Sequence, residues 1–159
     1  MKIKIMFLAA CMLFAGFGVT AAESAASQAE KKISGWSENY EQALKAAAES
    51  KRPILINFTG SDWCGWCVKL DKEVFSTEDF KKYAGEKLVL LKIDFPRNRQ
   101  LSQELMKQNR ELAQKFGIRG FPTILLLNAK GEAIGRTGYR PGGAVKYTEH
   151  LDEIISAAK

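Results

Sequence analysis

A chain of 159 residues that is 46% hydrophobic and 26% charged has enough apolar side chains for one globular domain with a packed core. The formal net charge is +6, but the basic residues stand singly or in pairs between acidic ones. A phosphate backbone would need a longer basic cluster. We therefore expect one domain, without internal repeats and without a nucleic-acid partner.

Residues 1–22 have the pattern of a secretory signal peptide. Lys2 and Lys4 precede an apolar run over 5–19, and three small residues follow at 20–22. The run is short for a membrane span and lacks a basic stop-transfer flank, with an uncleaved anchor as the alternative. The sequence thus predicts a protein that is periplasmic or otherwise exported after cleavage of the signal peptide. Cleavage would lower the formal charge from +6 to +4, since it removes two lysines and no acid.

A second possibility at the N-terminus comes from Cys11, because Leu8-Ala9-Ala10-Cys11 resembles the cleavage box of bacterial lipoproteins. Few apolar residues precede Cys11, and cleavage there would leave the apolar residues 12–19 as the new N-terminus. We therefore expect Cys11 to leave with the signal, so that the mature chain keeps two cysteines.

The rest of the chain alternates helical and strand patterns. Residues 23–35 are rich in Ala, Ser, Gln and Lys, which predicts a flexible spacer before a domain over 36–159. The elements predicted in chain order are a helix from Ser37, its N-cap, to Pro53, a strand over 54–58, a helix after the cysteines that bends or breaks near 76–77, a strand over 88–94, helical turns over 101–116, a strand over 123–127, a turn over 128–131, a hairpin partner over 132–137 and a last helix from Val145. This order predicts an α/β domain with helices on both sides of a mixed β-sheet.

The pentapeptide Trp63-Cys64-Gly65-Trp66-Cys67 follows a predicted buried strand and opens a predicted helix. Two cysteines at this spacing and place are typical of a dithiol that opens and closes. Free backbone N–H groups and the positive end of the helix dipole would stabilise a thiolate on Cys64, which is therefore the predicted nucleophile. Cys67 lies one turn on and is the predicted resolving thiol.

Two motifs in the same order resemble the thioredoxin superfamily over residues 36–158: the Trp-Cys-x-x-Cys segment and the segment 117–123, which ends in Phe121-Pro122-Thr123. Residues 58–69 resemble the exported thioredoxin-like reductases of the DsbH type. The resemblance implies a thiol–disulfide oxidoreductase that needs no organic or metal cofactor, and a cis peptide bond before Pro122. As a reductase it would act on disulfide-containing exported proteins and be recharged by a membrane thiol electron donor.

The resemblance also implies which residues surround the dithiol. The backbone of Phe121 would pair with substrate, and the loop Gly138-Tyr139 matches the third edge of the substrate groove. An ordinary turn announced by residues 141–143 is the alternative for that loop. The supporting residues of the site are Trp63, Gly65, Trp66 and Pro122.

The sequence departs from the family pattern at two buried positions. Alignment through Phe58 puts Asn57 where thioredoxins have a buried aspartate, and alignment through Asp94 puts Leu90 where they often have a lysine. We therefore expect both charges to be absent.

An amide takes no proton, so Cys67 would lose its proton to water, to the attacking partner or through Asp62 or Glu73. The alternative for Asp62 is a surface or helix-start carboxylate. Trp66 replaces the proline usual in thioredoxin, and the reduction potential is therefore not transferable.

Other classes of function stay open at this point. The cysteines could form a static disulfide, or the domain could be a redox-inactive scaffold. Zinc would need four ligands, and the chain has one histidine, His150, which we expect to be solvated. A copper module would need a histidine or methionine near the cysteines, and Met106 is the one methionine left after cleavage. Isomerases usually work as dimers, and since no dimerisation module is visible we expect a monomeric reductase, with isomerase or oxidase as alternatives.

Overall fold

A computed structural model describes residues 35–158 of the protein. The predicted signal peptide and nearly all of the predicted spacer lie outside the described residues. In chain order, the elements are β1 (Trp36–Ser37), α1 (Tyr40–Ser50), β2 (Ile54–Thr59), α2 (Gly65–Leu70) with a π-helical turn (Asp71–Phe75), α3 (Glu78–Lys87), β3 (Val89–Asp94), α4 (Gln103–Lys115), β4 (Thr123–Leu127), β5 (Ala133–Thr137) and α5 (Gly143–Ala157).

The five strands form one sheet in the order β1-β3-β2-β4-β5. Strands β1, β3 and β2 run parallel, whereas β4 is antiparallel to β2 and β5 is antiparallel to β4. The pairing of β4 with β5 shifts register between Leu126 and Leu127, which marks a bulge. The predicted α/β domain with a mixed sheet is confirmed.

Helices cover both faces of the sheet, and every residue of the central strand β2 is buried. Its side chains alternate between two cores, because successive residues of a strand point to opposite faces. One core lies under α2, α3 and α5 and includes Leu55, Phe75, Phe80 and Tyr147. The other lies under α1 and α4 and includes Ile54, Ile56, Phe58 and Leu112. The protein therefore has three layers, with the sheet in the middle.

The start of the first helix differs from the predicted one, whereas the predicted break after the cysteine helix is present. Ser37 does not cap the first helix but pairs in β1, and Asn39 is the N-cap, since its side chain accepts a hydrogen bond from the Gln42 N–H at 2.9 Å. The break predicted near 76–77 is confirmed, because Thr77 caps α3 and accepts a hydrogen bond from the Phe80 N–H.

Among the helices placed within residues 35–158, none has the length and apolar character needed to cross a bilayer.

Candidate active site

The two cysteines lie where β2 leads into α2. Cys64 is the N-cap of α2, and its Sγ atom accepts a hydrogen bond from the Cys67 N–H at 3.2 Å. Cys64 and Cys67 form a disulfide with their Cα atoms 5.2 Å apart. Cys64 is 8% exposed and Cys67 is 5% exposed, so both cysteines are buried just below the surface. The predicted position of the pair at a helix start is confirmed, and Gly65 is the exposed first residue of α2.

The loop before Cys64 is held closely against the Trp63 ring. The Trp63 indole N–H donates to the Phe95 carbonyl at 2.7 Å, and the Cys64 N–H donates to the Gly60 carbonyl at 2.9 Å. A Cβ atom on Gly60 would lie 2.6 Å from Trp63 Nε1, so only glycine allows this approach. These contacts fix the approach of the chain to the nucleophile.

Asp62 joins the active-site loop to the loop after β3. Its carboxylate accepts hydrogen bonds from the backbone N–H groups of Arg97 at 2.9 Å and Asn98 at 2.6 Å. These bonds hold the pKa of the Asp62 carboxyl below its usual range. The Arg97 guanidinium also lies 4.1 Å from the centre of the Trp63 ring. Asp62 is thus a carboxylate occupied by two backbone donors, as expected for the structural alternative rather than for a base.

The loop before β4 meets the active-site loop through aromatic rings. The Phe121–Pro122 peptide bond is cis, as the resemblance implied. The Phe121 ring contacts Trp63 edge-on at 5.9 Å and Phe95 at 5.2 Å between ring centres. A Cβ atom on Gly138 would lie 3.3 Å from the Pro122 carbonyl oxygen, which brings the loop after β5 beside the cis-proline loop.

The same loop contacts the active-site helix. The rings of Tyr139 and Trp66 lie 5.1 Å apart, and the Tyr139 hydroxyl donates to the Glu73 carboxylate at 2.7 Å. The Lys69 ammonium lies 5.3 Å from the Trp66 ring and 5.2 Å from the Tyr139 ring. The Tyr147 hydroxyl donates to the Gly138 carbonyl at 3.0 Å. Residues 138–139 therefore border the site, and the separate turn at 142–143, with positive φ at both glycines, begins α5.

The strand register corrects the expected pattern of charge behind Cys67. Asn57 is buried on β2 as expected, but the residue opposite it on β3 is Lys92, while Leu90 pairs with Leu55. The alignment through Asp94 compared Leu90 with the lysine of the family and did not consider Lys92, because an alignment does not give the register of two strands. A lysine does therefore lie across from the amide.

Sequence reasoning missed the role of Asp94, which ends β3 and is 2% exposed. Its carboxylate accepts hydrogen bonds from the Ser61 N–H at 3.0 Å and hydroxyl at 2.6 Å, and from the Arg99 guanidinium at 3.1 Å. Burial raises its pKa, but these bonds and the charge of Lys92 outweigh burial and hold the pKa of Asp94 below its usual range. The sequence offered one signal for this role: an aspartate at the end of a predicted buried strand, just before a loop. A buried carboxylate needs hydrogen-bond donors, and the loop can supply them.

His150 lies away from the cysteines, on α5 against β5. Its Nε2 atom is 3.1 Å from the Thr137 hydroxyl and its Nδ1 atom is 3.6 Å from the Glu153 carboxylate. The side chain is 19% exposed, so the expectation of a solvated histidine was wrong. The Thr137 hydroxyl on β5 holds the imidazole ring against the sheet.

A disulfide at the start of a helix, beside a cis-proline loop and on a mixed sheet of this order, defines a thioredoxin-like thiol–disulfide oxidoreductase. The sequence profile of the thioredoxin-like domain family matches residues 40–153. The chain belongs to this family.

Two relatives of known name and one solved structure are similar to most of this chain. The disulfide bond reductase DsbH of Chlamydia pneumoniae is 36% identical over 118 residues, which cover 74% of this chain and 71% of that protein. The thioredoxin-related protein DsbJ of the same organism is 34% identical over 103 residues, 65% of this chain but only 30% of DsbJ. A solved structure of a DsbH oxidoreductase superposes with a TM-score of 0.73 at 32% identity, covering 77% of this chain and 84% of the other. The chain is therefore a DsbH-like and DsbJ-like oxidoreductase with a redox-active cysteine pair.

Proposed function

We propose that the chain is an exported reductase of protein disulfides, with Cys64 as the nucleophile and Cys67 as the resolving thiol. The observation that carries the proposal is that Cys64 Sγ caps α2 and accepts the Cys67 N–H. This position stabilises a thiolate once the disulfide is reduced. The identity of 36% with a protein named disulfide bond reductase supports reduction as the direction.

The dithiol itself supplies the two electrons, so the reaction needs no organic cofactor or metal. The Cys64 thiolate attacks one sulphur of the substrate disulfide, and the other substrate sulphur leaves as a thiolate that takes up a proton. Cys67 then loses its proton and attacks Cys64. The Cys64–Cys67 bond forms, the bond from Cys64 to the substrate breaks, and the second substrate sulphur is protonated. The substrate gains two electrons and two protons.

We assign the substrate groove to Phe121, Gly138 and Tyr139, which lie on the two loops beside the disulfide. Trp66 and Trp63 are 58% and 39% exposed and offer apolar surface next to the reacting sulphurs. An extended, unfolded segment around the substrate cysteine fits this surface. The supporting residues are Trp63, Gly65, Trp66 and Pro122.

Export would follow from a signal peptide over 1–22 and place the domain over 36–159 in the periplasm, behind a spacer over 23–35. The partners there are exported proteins with disulfides and a membrane thiol electron donor, and the protein works as a monomer without nucleic acid. N-terminal analysis of the protein recovered from the periplasm tests the cleavage. A lipid-modified Cys11 would replace this proposal by the lipoprotein alternative.

Insulin reduction by dithiothreitol tests the activity, with Cys64→Ala as the inactive control. The reduction potential of the Cys64–Cys67 pair tests the direction. A value near about −270 mV, as in thioredoxin, supports a reductase, whereas one near about −120 mV, as in DsbA, indicates an oxidant. A protein with no insulin reduction would be a redox-inactive scaffold.

A further inference from the structure

A cavity of about 260 Å³ lies behind the resolving cysteine, between α2 and the sheet. Its volume and its polar walls are sufficient for several water molecules. Besides Cys67, the polar residues that line it are Asn57, Thr59, Ser61, Asp71 and Lys92. Asp62 and Glu73, the two carboxylates that the sequence offered as routes for the Cys67 proton, are each held by other donors.

The Asn57 side chain presents an unpaired acceptor to this cavity. Asn57 is 6% exposed, and its Oδ1 atom is buried without a hydrogen-bond partner among the described residues. An unpaired buried acceptor is unfavourable, so a donor inside the cavity is favoured. Water in the cavity can supply such a donor, and Lys92 lines the same cavity.

Lys92 is the cation that borders the cavity. It lies directly across from Asn57 in the pairing of β2 with β3 and is half-buried. Against burial, hydrogen bonds from Ser61 and Arg99 together with the charge of Lys92 hold the pKa of Asp94 below its usual range. Lys92 lines the same cavity as Cys67, so its charge can act on the groups that face this cavity.

We propose that Lys92 is a positioning residue for the resolving step: its charge stabilises the Cys67 thiolate, and Asn57 Oδ1 holds the water that receives the proton. The proposal rests on the function proposed above. In this step the Cys67 S–H bond breaks and the proton passes to cavity water and on to solvent. The Cys67 sulphur bonds to Cys64 Sγ, and the electron pair of the Cys64–substrate bond leaves on the substrate sulphur. The charge of Lys92 thus favours loss of the Cys67 proton, which the Asn57 amide cannot accept as a base.

Asp71 is the opposing charge on the cavity. It follows Cys67 by one helical turn, and its carboxylate accepts a hydrogen bond from the Ser76 hydroxyl at 2.8 Å. Its side chain is exposed, so water screens its effect more than it screens that of the half-buried Lys92. Asp94 is already paired with Arg99 at 3.1 Å. Of the two ionised side chains that line the cavity, Lys92 is therefore the one whose charge water screens less.

A titration of Cys67 alone tests the proposal. The full chain with Cys11→Ala and Cys64→Ala keeps one thiol, whose thiolate is followed by ultraviolet absorbance from about pH 5 to about pH 10. Lys92→Met should raise the midpoint by about one pH unit, because the stabilising charge is gone. Lys92→Arg keeps the charge and should restore the midpoint. Asp71→Asn should move it in the opposite direction, downward.

The midpoints of the variants support or overturn the role of Lys92. An unchanged midpoint in Lys92→Met, or a shift in Lys92→Arg as large as that in Lys92→Met, would overturn it. So would an upward shift in Asp71→Asn. If Lys92→Met does not fold, Lys92→Gln and the Asp71→Asn arm give the same comparison. The titration uses no substrate or electron donor, so its result is independent of whether insulin reduction succeeds.

Discussion

The sharpest test of what stabilises the active-site loop is Asp94→Asn, which removes a buried charge and keeps the shape of the side chain. The carboxylate accepts two hydrogen bonds from Ser61 and one from Arg99. Each bond loses roughly 1 kcal/mol when the acceptor becomes neutral, and the smaller cost of burying an amide offsets part of this. We expect the free energy of unfolding to fall by about 2–3 kcal/mol, a large share of the roughly 5–15 kcal/mol of a typical domain.

The effect should depend on pH with a definite sign. The pKa of Asp94 is lowered in the folded protein, so its stabilisation is complete above the unfolded value of about 3.9 and is lost as pH falls through the folded value. Urea melts of the wild type and the variant from about pH 7 to about pH 3 measure the difference. The gap between the two proteins should narrow in acid.

A matched control is Glu38→Gln. Glu38 bonds the same arginine at 3.0 Å, but its side chain is 42% exposed, so this change should cost less than about 0.5 kcal/mol. A gap that stays constant with pH in Asp94→Asn, or a Glu38→Gln cost as large as that of Asp94→Asn, would refute the reasoning.

Three further predictions concern the dithiol and the amide behind it. In the reduced protein, iodoacetamide at neutral pH should modify Cys64 before Cys67, as mapped by mass spectrometry, and the reverse order would contradict the assigned roles. Cys67→Ala should retain exported substrates as mixed disulfides in non-reducing gels, and stronger trapping by Cys64→Ala would exchange the roles. Asn57→Asp should give the resolving step a new pH dependence in stopped-flow reduction, yet change the unfolding free energy by less than about 1 kcal/mol at pH 7, since Lys92 faces the new carboxyl. In the double variant Asn57→Asp/Lys92→Met, burial raises the folded pKa of the new carboxyl. Its contribution to stability should therefore be complete below the ordinary aspartate pKa and be lost as pH rises. An unfolding free energy that does not change with pH in urea melts would contradict this.

Local pattern was sufficient for the parts of the fold that short segments determine. The buried run of β2 and the strand Thr123–Leu127 were predicted to within a residue, because apolar side chains on both faces leave little alternative. The two-residue strand β1 was missed, since a segment of that length carries no periodicity. The helix start at Cys64 was predicted from the cysteine spacing and the strand before it.

Contacts between distant segments could not be predicted in the same way. Lys92 faces Asn57 only because β2 and β3 pair in a particular register, which no local pattern specifies. The bond from Ser61 to Asp94 joins residues 33 positions apart. The contact of Trp66 with Tyr139 depends on where the loop after β5 crosses the site. The resemblance to a family implied a loop there, but not the ring contact.

The two edges of the sheet bear on how readily this chain aggregates with unfolded proteins around it. A long, flat edge strand offers unpaired N–H and C=O groups to any passing segment and so promotes aggregation. Here one edge, β1, is only two residues long, and the other, β5, carries Arg136 and joins its neighbour across a bulge. A passing chain therefore finds little template for strand addition at either edge. The protein can expose aromatic surface beside its disulfide and still resist aggregation with neighbouring unfolded chains.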